Sequence, residues 1–441
     1  MVRPDAVISG LVKDAGDTLV TLAYAHKWFE KDTNAIVIPA KVQIQEDIAF
    51  KAGNFSRAAS QWRCLENAWD RSRLYKTRFL IREQEFPDKG SGMHLCKVLE
   101  VSSVENVELM DRIAQLRLEQ VFFQSQIYLD RAELSKTTPS VSGDAIPLAK
   151  AGYLSLVERV AVDILDAYFH LPIDDDSVVI GELPLKAWVR GYAHYERLAH
   201  NAAGDPIFSY LRLSEADLLN GLMKSGLLLE QATAFVRLST FSRGVADLFD
   251  APLLKVEDGS YLFFAPAFHA PVLGVLVLSR ISWLNRRRDE QGVPANDSIF
   301  ENKGKFFEKR VVQLFTEAGI PARSFKYKVA STEYDCDAAV LIEDALFVFE
   351  CKNRSLPMGH LPSIHYFILA LDEGRRQVKR IVQQFTADPE LVRAKFGVNA
   401  TWNRIVPIVL HALPWSFGCS DGVYVYDWSA LSHLVSKGFT R

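Results

Sequence analysis

The sequence predicts an α+β multi-domain protein: a mainly helical N-terminal region followed by an α/β domain with a central mixed sheet flanked by helices. Three observations carry this expectation. The chain has 441 residues, 49% of them apolar, enough for two or three domains at roughly 150 residues each. Before a polar run at 285–298, apolar residues recur at spacings of three and four, the mark of amphipathic helices. Beyond residue 298 the pattern changes to α-β-β-β-α-β-β-α.

The bulk numbers also exclude several classes. With 24% charged residues beside that apolar content, the chain is neither mostly disordered, nor collagen-like, nor a disulfide-stapled mini-protein. A net charge of -3 provides no global attraction for nucleic acid, so any such binding needs a local patch. Cys64, Cys96, Cys336, Cys351 and Cys419 are scattered and form no Cys-x-x-Cys pair. That argues against a zinc or disulfide framework and fits a reducing cytoplasm. The start, "MVRPDAVISGLVKDAG", has no apolar core long enough for a signal peptide. The most hydrophobic run, 272–278, is seven residues long, against the roughly 20 needed to span a bilayer. No membrane partner is expected, and homo-oligomerisation is left open.

Along the chain, "SVENVELMDRIAQLRLEQVFFQSQIYLDRAEL" and "GYLSLVERVAVDILDAYF" read as helices. The stretches 86–92 and 135–147 combine Pro, Gly, Ser and Thr and read as loops. Around 205–270 the pattern is more specific. Ser214 with Asp217 resembles a helix N-cap, followed by "LLNGLMKSG" and "LLEQATAFVRLS". Then "PLLKVEDGSYLFFAP" offers two strands joined by Asp258-Gly259, a two-residue hairpin signal. Helix, turn, helix and hairpin is the element order of a winged helix, and equally of a small subdomain that only packs. The run "NRRRDEQGVPANDS" at 285–298 is the main boundary, dividing 1–290 from 298–441.

In the second part a helix is expected at 303–318, then strands in "RSFKYKVAS", "EYDCDAAVLI" and "ALFVFECK". A basic helix at 371–385, strands "RIVPIVLHA" and "GVYVYDW", and a short last helix complete it. A two-residue turn at Glu343-Asp344 makes Ile342 face Ala345, so Asp337 opposes Glu350 and Asp335 opposes Lys352. One face then carries Asp335, Asp337, Glu350 and Lys352 beyond Ala339, Leu341, Leu346 and Val348. The other is wholly apolar: Cys336, Ala338, Val340, Ile342, Phe347, Phe349 and Cys351. An odd turn would mix the faces.

Opposed carboxylates repel, and a divalent cation relieves that repulsion; hard oxygen ligands suit Mg²⁺. Lys352 beside the ion is placed to orient a water or to stabilise charge developing on a phosphate. In the preceding helix, Glu308 falls within the arc of Phe307, Val311, Val312 and Phe315, a costly place for a carboxylate unless it is paired or near a metal. The plainer alternatives are a solvated acidic strand end and a Glu reaching water from the stripe edge. On the basic helix, Val378, Ile381, Val382 and Phe385 face inward, leaving Arg375, Arg376, Lys379 and Arg380 to hold phosphates or simply to be solvated.

The segment "YDCDAAVLIEDALFVFECKNR" resembles the core motif of the PD-(D/E)xK nuclease superfamily, the restriction-endonuclease-like fold. Asp337 matches the motif Asp, Glu350 the acid and Lys352 the lysine, while Glu308 matches a helix Glu by element order. Cys336 stands where the motif Pro would be, Asp335 is an extra acid, and Gln377 resembles a Gln on the later helix, with Ile381 in place of the Tyr that sometimes follows. The resemblance covers roughly residues 300–430. It implies Mg²⁺, with Mn²⁺ as substitute, held by Asp337, Glu350 and the Cys351 carbonyl. It also implies hydrolysis of DNA phosphodiesters with Glu308 and Lys352 assisting, the N-terminal region selecting substrate or partner, and RNA left open as substrate. The rival expectation is a non-catalytic nucleic-acid or protein-binding module that keeps the fold. No GxxxxGK, GxSxG or HExxH is present, so P-loop, serine-hydrolase and zincin readings lack their markers.

Overall fold

The computed structural model describes residues 23, 27–31, 35–40, 46–75, 77–87, 93–103, 152–167, 170–201, 210–242, 245, 248–268, 273–290, 299–353, 361–412 and 415–436. The protein is mixed α+β with several sheets. The start of the chain, the loop at 135–147 and, past Ser103, the helix expected at 103–134 lie outside the described residues. No helix among the described residues is long and apolar enough to cross a membrane.

The first part runs β1 (Val37–Ile38), α1 (Glu46–Leu74), β2 (Thr77–Pro87), β3 (Met93–Ser103), α2 (Leu156–Ala167), β4 (Val179–Ile180), β5 (Leu183–Pro184), α3 (Leu185–Asn201), β6 (Tyr210–Leu213), α4 (Glu215–Lys224), α5 (Leu229–Leu238), β7 (Leu253–Val256), β8 (Tyr261–Phe264) and α6 (Leu273–Glu290). Trp188, Tyr192, Tyr195 and Phe235 are fully buried at its centre. A Cβ on Gly191 would lie 2.5 Å from the Phe235 ring, so only glycine lets α3 and α5 approach this closely. A buried ion pair ties α2 to α3: Arg190 donates to Glu158 at 2.5 Å and to the Ser225 carbonyl at 2.7 Å. α6 continues to Glu290, so the boundary expected from 285 begins inside a helix. "NRRRDE" is polar but built largely from good helix formers.

The order β6-α4-α5-β7-β8 realises the helix-turn-helix and hairpin pattern. The Ser214 hydroxyl accepts from the Asp217 N–H at 3.1 Å, as the capping signal predicts. β6 pairs antiparallel with β8, and β8 with β7. The hairpin differs from expectation in one respect. Lys255 faces Tyr261, and the Val256 N–H donates to the Ser260 carbonyl at 2.9 Å, so Glu257, Asp258 and Gly259 form a longer loop. Gly259, at φ +83°, takes the left-handed position that such a loop requires.

The second part runs α7 (Ile299–Glu317), β9 (Ala322–Val329), β10 (Thr332–Ile342), β11 (Ala345–Lys352), α8 (Leu361–Ala387), α9 (Glu390–Phe396), β12 (Arg404–His411), β13 (Gly418–Ser420), β14 (Val423–Asp427) and α10 (Trp428–Ser436). Its six-stranded mixed sheet has the order β13-β14-β12-β11-β10-β9, with β11, β12 and β14 parallel. Phe307, Val311 and Phe315 of α7 pack with Ala338, Val340, Phe349 and Trp428 on one face. Val378, Ile381 and Phe385 of α8 pack with Ala339, Leu346, Val348 and Val409 on the other. The two parts touch where His170 stacks on Phe307, with ring centroids 4.6 Å apart.

Candidate active site

The β10–β11 hairpin has the expected register, with Ile342 opposite Ala345 and pairing continuing to Ala338 opposite Phe349. Past that pair the ladder ends and the Asp337 carboxylate takes over: its Oδ2 accepts the Cys351 N–H at 2.7 Å. The cause lies on the other side of β10. The β9–β10 register slips between Cys336 and Ala339, so β10 carries one extra residue there. The bulge reverses the alternation. Cys336, opposite Phe325, packs with Ala339 and the α8 side rather than with Ala338.

This corrects the expected arrangement of the acids. Asp335 pairs with Lys326 of β9, not with Lys352. It lies on the opposite face from its neighbour Cys336, toward α7, where it is the strongest charged influence raising the Glu308 pKa. Lys352 instead donates from Nζ to Glu350 Oε1 at 2.7 Å and to Gln377 Oε1 of α8 at 2.8 Å. Gly374 makes room for this path. A Cβ there would lie 3.2 Å from Lys352 Cε and 3.2 Å from Val409 Cγ1.

Three carboxylates share one environment. Asp337 is 9% exposed and Glu350 7%. Burial, then the charges of Glu350 and Glu308, push the Asp337 pKa up to about 8 against the pull of the Cys351 N–H and Lys352. Glu350 is raised by burial, with Lys352 and Arg380 opposing. Glu308, half-buried on α7, is raised by burial first and then by Asp335 and Glu350. The sequence therefore assembles Glu308, Asp337, Glu350 and Lys352 in one place, with the Cys351 peptide bonded to Asp337. Gly374 went unread, although an isolated glycine inside a helical pattern is a signal of close approach.

Among the described residues no group of three or more His, Cys, Asp or Glu side chains stands in a metal-holding arrangement. The donor set suits an open site instead. One oxygen of Asp337 is committed to Cys351 and one of Glu350 to Lys352. Among the described residues the second oxygen of each bonds no donor, and Mg²⁺ typically uses one or two carboxylates and keeps its waters.

The expected nucleic-acid contacts on α8 are mostly engaged. Arg375 donates to Asp372 at 2.5 Å, Arg376 to Glu373 at 2.6 Å, and Lys379 to Asp421. Arg380 has no carboxylate partner among the described residues; its guanidinium lies over the Tyr334 ring, 5.6 Å from the centroid. In the helix-turn-helix unit Arg212 pairs with Asp258 and Arg237 with Glu182. A surface hollow of about 420 Å³, lined by Lys309, Val312, Gln313, Thr316, Ala322, Arg323 and Ser324, contains none of the carboxylates. Comparison with family models, with curated proteins and with solved structures found no match to this chain.

Proposed function

We propose that residues 298–441 form a metal-dependent nuclease domain of the PD-(D/E)xK type, acting in the cytoplasm on DNA phosphodiesters. The observation that carries this reading is the buried Asp337–Glu350 pair, with the Lys352 ammonium held beside it by Glu350 and Gln377. Two like charges buried together cost stability unless something neutralises them. Burial, sheet register and helix packing are all spent on holding them there. The order α7, β9, β10, β11, α8 and β12, interrupted only by the short α9 before β12, supports the same reading, as it resembles that of the restriction-endonuclease-like core.

Asp337, Glu350 and the Cys351 carbonyl would hold Mg²⁺ or Mn²⁺. Such an ion, when bound, supplies Lewis-acid polarisation of a phosphoryl oxygen and a lowered water pKa. The chain's own contributions are distinct. The Cys351 N–H orients the Asp337 carboxylate, Gln377 orients Lys352, and the ammonium donates a hydrogen bond to the attacking water or to the developing negative charge. Glu308, whose pKa is raised by burial first and then by Asp335 and Glu350, is placed to take up or release a proton beside the two buried carboxylates. Residues 1–290, with the winged-helix-like unit at 205–270, would select substrate or partner.

A thermal-shift titration tests this. Mg²⁺ or Mn²⁺ should raise the melting temperature of the wild type and leave Asp337→Asn and Glu350→Gln unmoved. Absence of any metal response in the wild type favours the non-catalytic binding module.

A further inference from the structure

We infer that Arg380, lying over the Tyr334 ring, is the residue that grips a substrate backbone phosphate next to the carboxylate pair, and that the three other α8 cations are not. This rests on the nuclease reading of the site and sharpens it from a basic helix face to one guanidinium.

Four cations line α8, and their surroundings divide them. Arg375, Arg376 and Lys379 each bond a carboxylate, those of Asp372, Glu373 and Asp421. Such pairs neutralise the helix face locally. Arg380 is exposed and bonds no carboxylate among the described residues; its guanidinium lies over the Tyr334 ring instead. A guanidinium drawn to a ring by its charge spends none of its N–H donors on a carboxylate, so the donor fork stays available to match two phosphate oxygens.

The ring that holds it is itself fixed. Tyr334 stacks on Tyr327 across the β9–β10 hairpin, with centroids 5.6 Å apart and planes within 20°. The Tyr327 hydroxyl donates to Gln384 Oε1 at 2.5 Å. Gln384 stands one helical turn beyond Arg380, so the frame Arg380–Tyr334–Tyr327–Gln384 starts and ends on α8. The guanidinium is thereby pre-positioned rather than loose. It also lies close enough to the site for its charge to act on Glu350. Gln377, three residues before Arg380 on α8, bonds Lys352, so a phosphate held by Arg380 would sit beside the carboxylates proposed to hold the metal. Tyr334 is then a positioning residue, acting through Arg380.

The test is anisotropy of a fluorescein-labelled DNA duplex with the full-length protein in EDTA, where no cleavage occurs, across a salt series. Arg380→Ala should weaken binding about tenfold and lower the slope of log K against log salt by about one. Arg376→Ala removes the same charge one turn earlier and should weaken binding less than about threefold. Arg380→Lys keeps the charge but loses the two-pronged donor fork, and should stay weak. Tyr334→Phe should bind like wild type and Tyr334→Leu like Arg380→Lys, a contrast that separates the ring from the hydroxyl. With Mg²⁺, Arg380→Ala should raise KM more than it lowers kcat. Equal losses for Arg376→Ala and Arg380→Ala, wild-type affinity in Arg380→Ala, or no DNA binding by the wild type would each overturn the inference. Wild-type binding without Mg²⁺-dependent cleavage would instead sink the nuclease reading and leave the Arg380 contrast standing on the anisotropy alone.

Discussion

Asp337→Asn is expected to make the metal-free protein more stable while abolishing its response to metal. The Asp337 pKa is pushed from 3.8 to about 8 by burial and by the charges of Glu350 and Glu308. Below the ordinary carboxylate range the group is protonated in both the folded and the unfolded chain, and no penalty exists. As pH rises toward 8 the unfolded chain releases the proton that the fold retains, so stability falls. The loss is about 1.4 kcal/mol per pH unit in this window, on the order of 4 kcal/mol by pH 7, and it levels off above the folded pKa. Asparagine keeps an oxygen for the Cys351 N–H but carries no charge, so the variant escapes this loss. At about 2–4 °C per kcal/mol, the gain in melting temperature at neutral pH is on the order of 10 °C. It should shrink toward zero near pH 4. Differential scanning calorimetry of both proteins in EDTA, from pH 4 to 8.5, measures it. A variant no more stable than wild type at pH 8, or a gap that is largest at low pH, would show that burial does not raise the Asp337 pKa.

Three further outcomes follow from the same geometry. Arg190→Met leaves the Glu158 carboxylate buried without its partner and should cost about 3–5 kcal/mol in urea denaturation, with Glu158→Leu/Arg190→Met recovering much of the loss. Gly374→Ala places a methyl against Lys352 Cε and Val409. It should lower kcat well beyond its stability cost of about 1–3 kcal/mol, read by comparing cleavage rates with melting curves. Ser214→Ala removes the cap of α4 and should cost about 1 kcal/mol by chemical denaturation, leaving cleavage unchanged.

Much of the site was legible because it depends on local periodicity. The two-residue turn at Glu343-Asp344 set the β10–β11 register, and the stripes Phe307–Val311–Phe315 and Val378–Ile381–Phe385 named the two core faces. What escaped was tertiary. The bulge between Cys336 and Ala339 leaves no mark on the alternation of apolar residues, since both faces there are small and buried, yet it moves Asp335 to the α7 side. α8 starts at Leu361, ten residues before the expected helix. Its first turns, "LPSIHYFILA", are apolar on most sides and lack the polar stripe that identifies an amphipathic helix. The ion pairs Asp372–Arg375 and Glu373–Arg376 were readable from their spacing of three. Asp421 beside Lys379 was not, because a sheet brings it there from another part of the chain.

The most direct test of the central claim is a cleavage panel of plasmid, linear, single-stranded and branched DNA, plus RNA, with and without Mg²⁺, for wild type and Lys352→Ala. Mg²⁺-dependent cleavage of at least one DNA by the wild type is expected, lost in Lys352→Ala while its circular dichroism spectrum is unchanged. Cleavage by both proteins alike, or by neither on any substrate, would contradict it.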